Sequence, residues 1–313
     1  MERVIVPNSV ANRIITVGEP SRARKIAKYF DNTQPIIEVE SKRGFLTLTG
    51  TYKNEKVSII AIGMGLGVAD MLVREVRAVT NGPLLIIRFG SCGGIGTAGD
   101  AGNLAIYLGM VSVCKEGAVL VTKNYDYWVQ DYHYESEDEA EADSPLGKIF
   151  DTGYGVVTKA FHDTFRGIPY HISAVIPADL QLSTHLYYYL QEHVGVDNTC
   201  TGINATADSF YSSQGRTGDV FGDDNEKLIS AIRKKLPFAE TLEMESGMIL
   251  HLAQCATFES KKNPNHPGPI RATACAMIFF NRNTTEAIDH DLIDELEKNA
   301  GRACLDAIVE TAF

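Results

Sequence analysis

The sequence lacks any apolar run close to the roughly 18 residues that a membrane-spanning helix needs. Its first residues, Met-Glu-Arg-Val-Ile-Val-Pro-Asn, also lack the basic start and the apolar stretch of a secretory signal. We therefore expect a cytoplasmic protein with no membrane partner.

Positive charge is scarce as well. The chain carries 29 Lys and Arg against 40 Asp and Glu, which gives a formal net charge of -11. A surface that binds nucleic acid would have to work against this negative field. We therefore expect no nucleic-acid partner.

Metal and disulfide motifs are missing too. The six cysteines include no C-x-x-C pair, and none of the eight histidines belongs to an H-E-x-x-H motif. A chain of 313 residues can bury a core without disulfides, so we expect free thiols. The acidic run 135–143 lacks the spacing and the glycine of an EF-hand loop. No metal site is predicted.

Short apolar runs alternate with helical patterns, which predicts an α/β fold with a mainly parallel sheet. Residues 84–87 are continuously apolar, as in a strand covered on both faces. Residues 45–52 and 57–62 flank a turn at 53–56 and predict a hairpin, so a mixed sheet stays open. No repeat or long linker divides the chain. We expect one domain, 1–313, with a surface insertion at about 124–170.

Two predicted strand ends carry an arginine beside glycines. Residues 18–22 read Gly-Glu-Pro-Ser-Arg and begin a helix, whose N-terminus attracts anions. Arg88 follows the buried run 84–87 and precedes a glycine-rich stretch, and a buried guanidinium needs an anion. That anion is either an internal carboxylate or a bound oxyanion such as phosphate. The glycine spacing does not fit the dinucleotide motif G-x-G-x-x-G.

Two further segments suit the parts of a nucleoside. Residues 243–246 read Glu-Met-Glu-Ser, and carboxylates two apart on extended backbone share one face, where they could accept from a diol such as ribose. Acids that only stabilise a helix start are the alternative. Residues 210–216 combine an aromatic ring, an amide and a guanidinium, which suits a flat heteroaromatic ring. A polar turn with a supporting Phe is the alternative there.

In this order, these segments resemble the nucleoside phosphorylase family, and most of all its uridine phosphorylases. The resemblance spans nearly the whole chain and rests on residues 17–22, 87–94, 208–216, 243–246 and 280–282. It implies a three-layer α/β/α domain around a mixed, partly barrel-like β-sheet. It also implies reversible phosphorolysis of uridine, with deoxyuridine or thymidine as alternative substrates, to uracil and the sugar 1-phosphate.

The resemblance also assigns roles to residues. Phosphate would be held by Gly18, Arg22, Arg88 and Ser91, and by Arg43 from the neighbouring subunit of a homodimer or a ring of dimers. The ribose would contact Met244, Glu245 and Cys92, the last of which stands where relatives have Thr or Ser. The base would be held by Gly93, Phe210, Gln214 and Arg216, with support from Glu243 and Arg282. The residues central to catalysis would be Arg22, Arg88 and Glu245.

The resemblance implies no cofactor apart from phosphate as co-substrate. Gly44 stands where bacterial relatives carry a Glu tied to a monovalent cation, so an interface cation is not predicted. Asn281-Arg282 stands where purine-specific relatives place an acidic Asp, which favours a pyrimidine. A purine nucleoside phosphorylase, a nucleosidase and a non-catalytic nucleoside-binding protein are the alternatives. The anion-binding arginines argue against water as the nucleophile.

Overall fold

The computed structural model describes residues 5–96, 106–128 and 168–313. The described residues include the strands β1 Arg13–Val17, β2 Ile37–Glu40, β3 Leu46–Tyr52, β4 Glu55–Ala61, β5 Leu84–Gly94, β6 Val111–Lys123, β7 Tyr170–Ile172, β8 Thr199–Ala207, β9 Ala239–Glu243 and β10 Ile270–Asn281. They also include the helices α1 Pro20–Ala27, α2 Leu66–Val79, α3 Leu180–Val194, α4 Leu228–Lys235, α5 Ser246–Lys262 and α6 His290–Glu310.

The strands form one mixed sheet with the order β10-β6-β8-β9-β5-β1-β4-β3-β2, and β7 pairs with β6. Strand β10 also pairs with β5, which closes β10, β6, β8, β9 and β5 into a ring. The closure uses an antiparallel contact between β9 and the end of β5 at Gly93 and Gly94. The mixed, partly barrel-like sheet expected from the sequence is confirmed.

Helices cover the central strand β5 on both faces. Ile87 packs in a core with side chains of α1, α3 and α6, whereas Ile86 packs on the opposite side with α2 and α5. Adjacent residues of a strand point to opposite faces, so the apolar run 84–87 supplies both cores. This arrangement confirms the three-layer α/β/α architecture.

Strand β5 is longer than the apolar run predicted. Strand β10 runs parallel beside it from Leu84 to Gly94, so its hydrogen bonds extend the strand through the glycine-rich stretch. The sequence had suggested that Arg88 lies at the end of this strand. In the structure it lies within the strand. The β3–β4 turn is also tighter than predicted, because Lys53 and Asn54 both adopt positive φ, at 51° and 65°.

Most of the predicted insertion 124–170 lies outside the described residues, including the acidic run 135–143. Its two described ends are packed: Trp128 and Tyr170 are 5% and 4% exposed, and their ring centroids are 5.9 Å apart. Within the described ranges, no helix has the length and apolar character to cross a bilayer. The same ranges contain no cluster of three or more His, Cys, Asp or Glu suited to a metal ion.

Candidate active site

Arg88 lies at the centre of the candidate site. Strand β5 places it between Thr16 of β1 and Ala274 of β10, and its side chain is almost completely buried. Its Nη2 donates to Oε2 of Glu245 at 2.8 Å. Its Nε and Nη1 are buried without a hydrogen-bond partner among the described residues. Because buried polar groups are normally paired, these two nitrogens are suited to a further anion.

Two glycines lie beside this guanidinium. A Cβ on Gly18 would stand 3.7 Å from Nη2 of Arg88, and one on Gly90 would stand 3.6 Å from Nε. The Gly18 carbonyl accepts from the Gly63 amide at 2.9 Å, which ties the end of β1 to the segment before α2. Ser91, one residue beyond Gly90, is exposed. Gly18 and Arg88, two of the predicted phosphate residues, are therefore close together.

Arg22 enters from the first turn of α1, which begins at Pro20, two residues after Gly18. Its side chain is buried, and its Nε donates to Oε1 of Glu297 in α6 at 2.9 Å. Its guanidinium carbon lies 5.4 Å from the centroid of the Phe89 ring. Glu297 belongs to no sequence motif, so it was not predicted as the partner of this arginine.

Glu245 links the arginine of β5 to the start of α2. Its Oε1 accepts from the Gly65 amide at 2.6 Å, while its Oε2 accepts from Arg88. Burial raises the pKa of the Glu245 carboxyl, and the positive charge of Arg88 opposes this shift. Met244 is half-buried and also reaches Gly65, since its Cε is 3.9 Å from where a Cβ on that glycine would lie. Met244 and Glu245, two of the three predicted ribose residues, therefore adjoin Arg88 or Gly65.

Glu243 faces a different environment from Glu245. It accepts hydrogen bonds from the side chains of Asn204, Thr206 and Ser246 and from the amides of Glu245 and Ser246. The backbone of Glu245 (φ -133°, ψ -36°) has left the extended conformation. The two carboxylates, which the sequence placed on one face, therefore have different partners: Glu245 bonds Arg88 and Gly65, and Glu243 bonds the groups named above. In the described structure Glu243 stabilises the start of α5, as acids at helix N-termini do.

Arg282 packs on Gly93 and binds Gln214. Its Nη2 donates to Oε1 of the buried Gln214 side chain. A Cβ on Gly93 would approach Cγ of Arg282 to 3.0 Å and its Nε more closely still, so a side chain there would displace the arginine. Burial, with the nearby Arg216, lowers the pKa of Arg282 to about 10. The described contacts thus join Arg282 to Gln214 and not to Glu243.

Arg216 and Phe210 form the outer part of this cluster. The guanidinium carbon of Arg216 lies 4.2 Å from the centroid of the Phe210 ring, which is 39% exposed. The centroid of the Phe280 ring lies 5.8 Å from the guanidinium carbon of Arg216 and 5.3 Å from that of Arg282. Burial lowers the pKa of Arg216. The structure therefore brings together five of the six residues predicted to hold or support the base, whereas Glu243 has other partners.

The family model described as phosphorylase superfamily matches residues 12–259. The chain belongs to the phosphorylase superfamily. A solved structure from a study of two uridine phosphorylases of the oomycete Phytophthora capsici is 31% identical, with a TM-score of 0.79. That match covers 100% of this chain and 95% of the other. A Trypanosoma brucei nucleoside phosphorylase described as showing uridine phosphorylase activity shares the fold at 19% identity, TM-score 0.67, covering 97% and 95% of the two chains.

Curated relatives of this superfamily member match over a shorter segment. DeoD-type purine nucleoside phosphorylases from Vibrio cholerae and Haemophilus influenzae are each 39% identical, over 90 and 85 residues. These segments cover 28% and 27% of this chain and 36% and 34% of the relatives. The matches thus span about a third of the length of these relatives.

The two remaining predicted site residues, Arg43 and Cys92, differ in exposure. Arg43 is exposed in the turn between β2 and β3, where the Gly44 amide donates to the Ser41 carbonyl at 2.9 Å. Cys92 is buried, and its Sγ lies 3.5 Å from the Met277 carbonyl as a donor. Burial raises the pKa of the Cys92 thiol, so it stays protonated and acts as a small side chain and not as a nucleophile.

Proposed function

We propose that the protein catalyses the reversible phosphorolysis of uridine to uracil and ribose 1-phosphate. The observation that carries the proposal is Arg88, a buried cation with two nitrogens that lack a partner among the described residues. Phosphate offers several oxygens to such a guanidinium. The choice of uridine is supported by the 31% identity, over the whole chain, to a structure from a study of uridine phosphorylases.

The proposed reaction is a direct displacement at C1′ of the sugar. As the glycosidic bond breaks, the sugar gains oxocarbenium character, and a phosphate oxygen forms the new bond to C1′ on the opposite face. Arg88 and Arg22 hold and align the phosphate, which lowers the entropic cost of attack. Glu245 accepts hydrogen bonds from the ribose hydroxyls. The bonding electrons leave with uracil as a delocalised anion.

The leaving base gains negative charge, so donors already placed beside it lower the barrier. We propose that Gln214, Arg216 and Arg282 are these donors. The pKa of Arg282, lowered to about 10 by burial, is still well above neutral pH, so this side chain remains cationic during the reaction. Phe210 would pack on the ring of uracil. Gly93, which has no side chain, would allow Arg282 to lie against the backbone of β5.

The proposal includes a second subunit. Arg43 is exposed in this chain, and in a homodimer or a ring of dimers it would complete the phosphate site of the neighbour. Phosphate enters as a co-substrate and no cofactor is required by this chemistry. A cytoplasmic location remains part of the proposal.

A purine nucleoside phosphorylase is the second candidate. The observation in its favour is the 39% identity to DeoD-type purine nucleoside phosphorylases over 85 to 90 residues. Against it, a purine leaving group needs an acid near N7, and the stretch where the resemblance would put that acid reads Asn281-Arg282. The Arg282 side chain is bonded to Gln214.

The deciding experiment follows uridine, deoxyuridine, thymidine and inosine by absorbance with and without inorganic phosphate. We expect uridine cleavage that depends on phosphate. A preference for inosine would support the purine enzyme, and cleavage without phosphate would indicate a nucleosidase. If none of the four nucleosides reacted while uridine still bound, the protein would be a nucleoside-binding protein.

A further inference from the structure

We infer that Glu297 is a positioning residue that holds Arg22 in the orientation needed to bind phosphate, an inference that rests on the proposed function. Glu297 belongs to α6, which lies beyond residues 12–259 matched by the family model. It is 275 positions away from Arg22 in the sequence, yet the two buried side chains are hydrogen-bonded at 2.9 Å.

Each oxygen of the Glu297 carboxylate has its own cationic donor. Oε1 accepts from Nε of Arg22, and Oε2 accepts from Nζ of Lys25 at 2.7 Å. The Glu297 side chain is only 5% exposed, whereas that of Lys25 is 27% exposed and also pairs with Asp294 at 2.8 Å. The carboxylate is thus held between two cations, which reduces the repulsion that it would exert on a nearby phosphate.

The packing of α1 against α6 fixes where this carboxylate stands. A Cβ on Gly301 would come within 2.6 Å of Cγ1 of Ile26, so only glycine allows so close an approach there. Gly301 follows Glu297 by one helical turn, and Ile26 follows Arg22 by one turn, so each pair lies on one face of its helix. The two contacts are therefore successive points of the same helix–helix interface.

The contact also determines which part of Arg22 can meet an anion. The hydrogen bond from Arg22 to Glu297 uses Nε of Arg22. The guanidinium carbon of Arg22 lies 5.4 Å from the centroid of the Phe89 ring. A guanidinium whose Nε is fixed loses most of its rotational freedom, while its terminal nitrogens can still donate to an oxyanion. Alignment before binding lowers the entropy that the phosphate complex would otherwise lose.

The test compares Glu297→Gln and Glu297→Ala with the wild type. Glutamine keeps an oxygen that can accept from Nε but removes the charge, whereas alanine removes both. We expect Glu297→Ala to raise the KM for phosphate by about tenfold or more with the KM for uridine within about twofold, and Glu297→Gln to raise it less. Glu297→Asp, which keeps the charge but withdraws it by one methylene, replaces the alanine variant if that does not fold.

The matched control is Asp294→Ala, which removes the exposed partner of Lys25 and leaves Arg22 untouched. It is expected to keep the wild-type KM for phosphate. A KM for phosphate equal to the wild-type value in the folded Ala or Asp variant would overturn the inference, because Glu297 would then not position Arg22. A lower KM would also overturn it, because it would mean that the carboxylate only repels phosphate.

A calorimetric titration of each variant with inorganic phosphate separates this inference from the proposed function. A wild type that binds phosphate without cleaving any nucleoside would refute the phosphorylase activity. The role of Glu297 would still be decided by whether Glu297→Ala weakens that binding by about tenfold. A wild type that does not bind phosphate would overturn both.

Discussion

Replacing Arg88 by methionine tests the main contact of the proposed site. Methionine keeps an unbranched side chain that packs well in a core but removes every nitrogen of the guanidinium. In the structure this side chain is 4% exposed, donates to Glu245 through Nη2 and holds Nε and Nη1 without a partner among the described residues. The substitution therefore removes one observed interaction and the two donors proposed for phosphate.

The size of the effect follows from this burial. Loss of one partner from a buried, hydrogen-bonded charge pair costs about 2 to 5 kcal/mol. If phosphate is the partner that Nε and Nη1 bind, kcat/KM for phosphate should fall by about 30-fold to about 5,000-fold. An arginine that served only to balance Glu245 would lower stability but would leave the KM for phosphate of the folded fraction unchanged.

Stability must be measured beside activity, because Arg88→Met leaves the Glu245 carboxylate buried with the Gly65 amide as its described donor. Breaking a buried pair in this way costs about 3 to 5 kcal/mol. The double variant Arg88→Met/Glu245→Gln removes that unpaired charge and should recover part of the lost free energy of unfolding. It allows phosphate binding to be measured in a folded protein that lacks the guanidinium.

The assay is steady-state phosphorolysis of uridine with phosphate varied, together with thermal unfolding and calorimetric titration of phosphate. Arg74→Met is the matched control, because Arg74 on α2 is exposed and pairs only with Asp70 at 2.8 Å among the described residues. Wild-type kcat/KM for phosphate in folded Arg88→Met would refute the assignment of Arg88 as a phosphate ligand.

Three further predictions concern other parts of the structure. In Gly93→Ala the new methyl group should overpack against Arg282 at a cost of ~1.4 kcal/mol, which corresponds to a KM for uridine about tenfold higher. The KM for phosphate should be unchanged in the same assay. If each site takes Arg88 from one subunit and Arg43 from its neighbour, random mixing of equal amounts of Arg43→Ala and Arg88→Met subunits should leave about a quarter of the sites complete. Activity of the mixture no higher than the summed activities of the two separate variants would contradict shared sites. Burial raises the pKa of Glu240 from 4.5 to about 7, so the folded state should lose up to about 3 kcal/mol as pH rises between these values. Glu240→Gln should then raise the free energy of unfolding at pH 8 but not at pH 4.5, as measured with denaturant; an equal gain at both would exclude ionisation as the cause.

The sequence was most informative where a clear apolar pattern or a proline marked a strand or a helix start. Residues 84–87 predicted a central strand covered on both faces, and Ile86 and Ile87 do supply opposite cores. Pro20 correctly marked the start of α1. Local pattern did not predict the extent of β5, because the strand continues through glycines only where β10 lies beside it. That pairing joins segments far apart in the chain.

The contacts of the candidate site were harder to predict for the same reason. The resemblance brought Gln214, Arg216 and Arg282 together as base-binding residues, and the structure places them in one cluster, although their roles stay predictions. Glu297 was missed because one acid in a helix carries no motif. Its signal was its position next to the buried stripe that includes Leu296 and Ala300 in α6, where a charge needs a partner.

The internal acids do not exclude an oxyanion at the two buried arginines. Glu245 and Glu297 each take one nitrogen of an arginine, Nη2 of Arg88 and Nε of Arg22, and so reduce the cost of burying that cation in the unliganded protein. A planar guanidinium has five N–H donors, so one carboxylate bonded to a single nitrogen leaves others for a second anion. If Arg88 served only its internal acid, its Nε and Nη1 would stay buried without a partner among the described residues, and Nε lies where a Cβ on Gly90 would be only 3.6 Å away. The alternatives that the sequence left open at Arg88 are therefore compatible, with the carboxylate orienting the cation and phosphate proposed for the remaining donors.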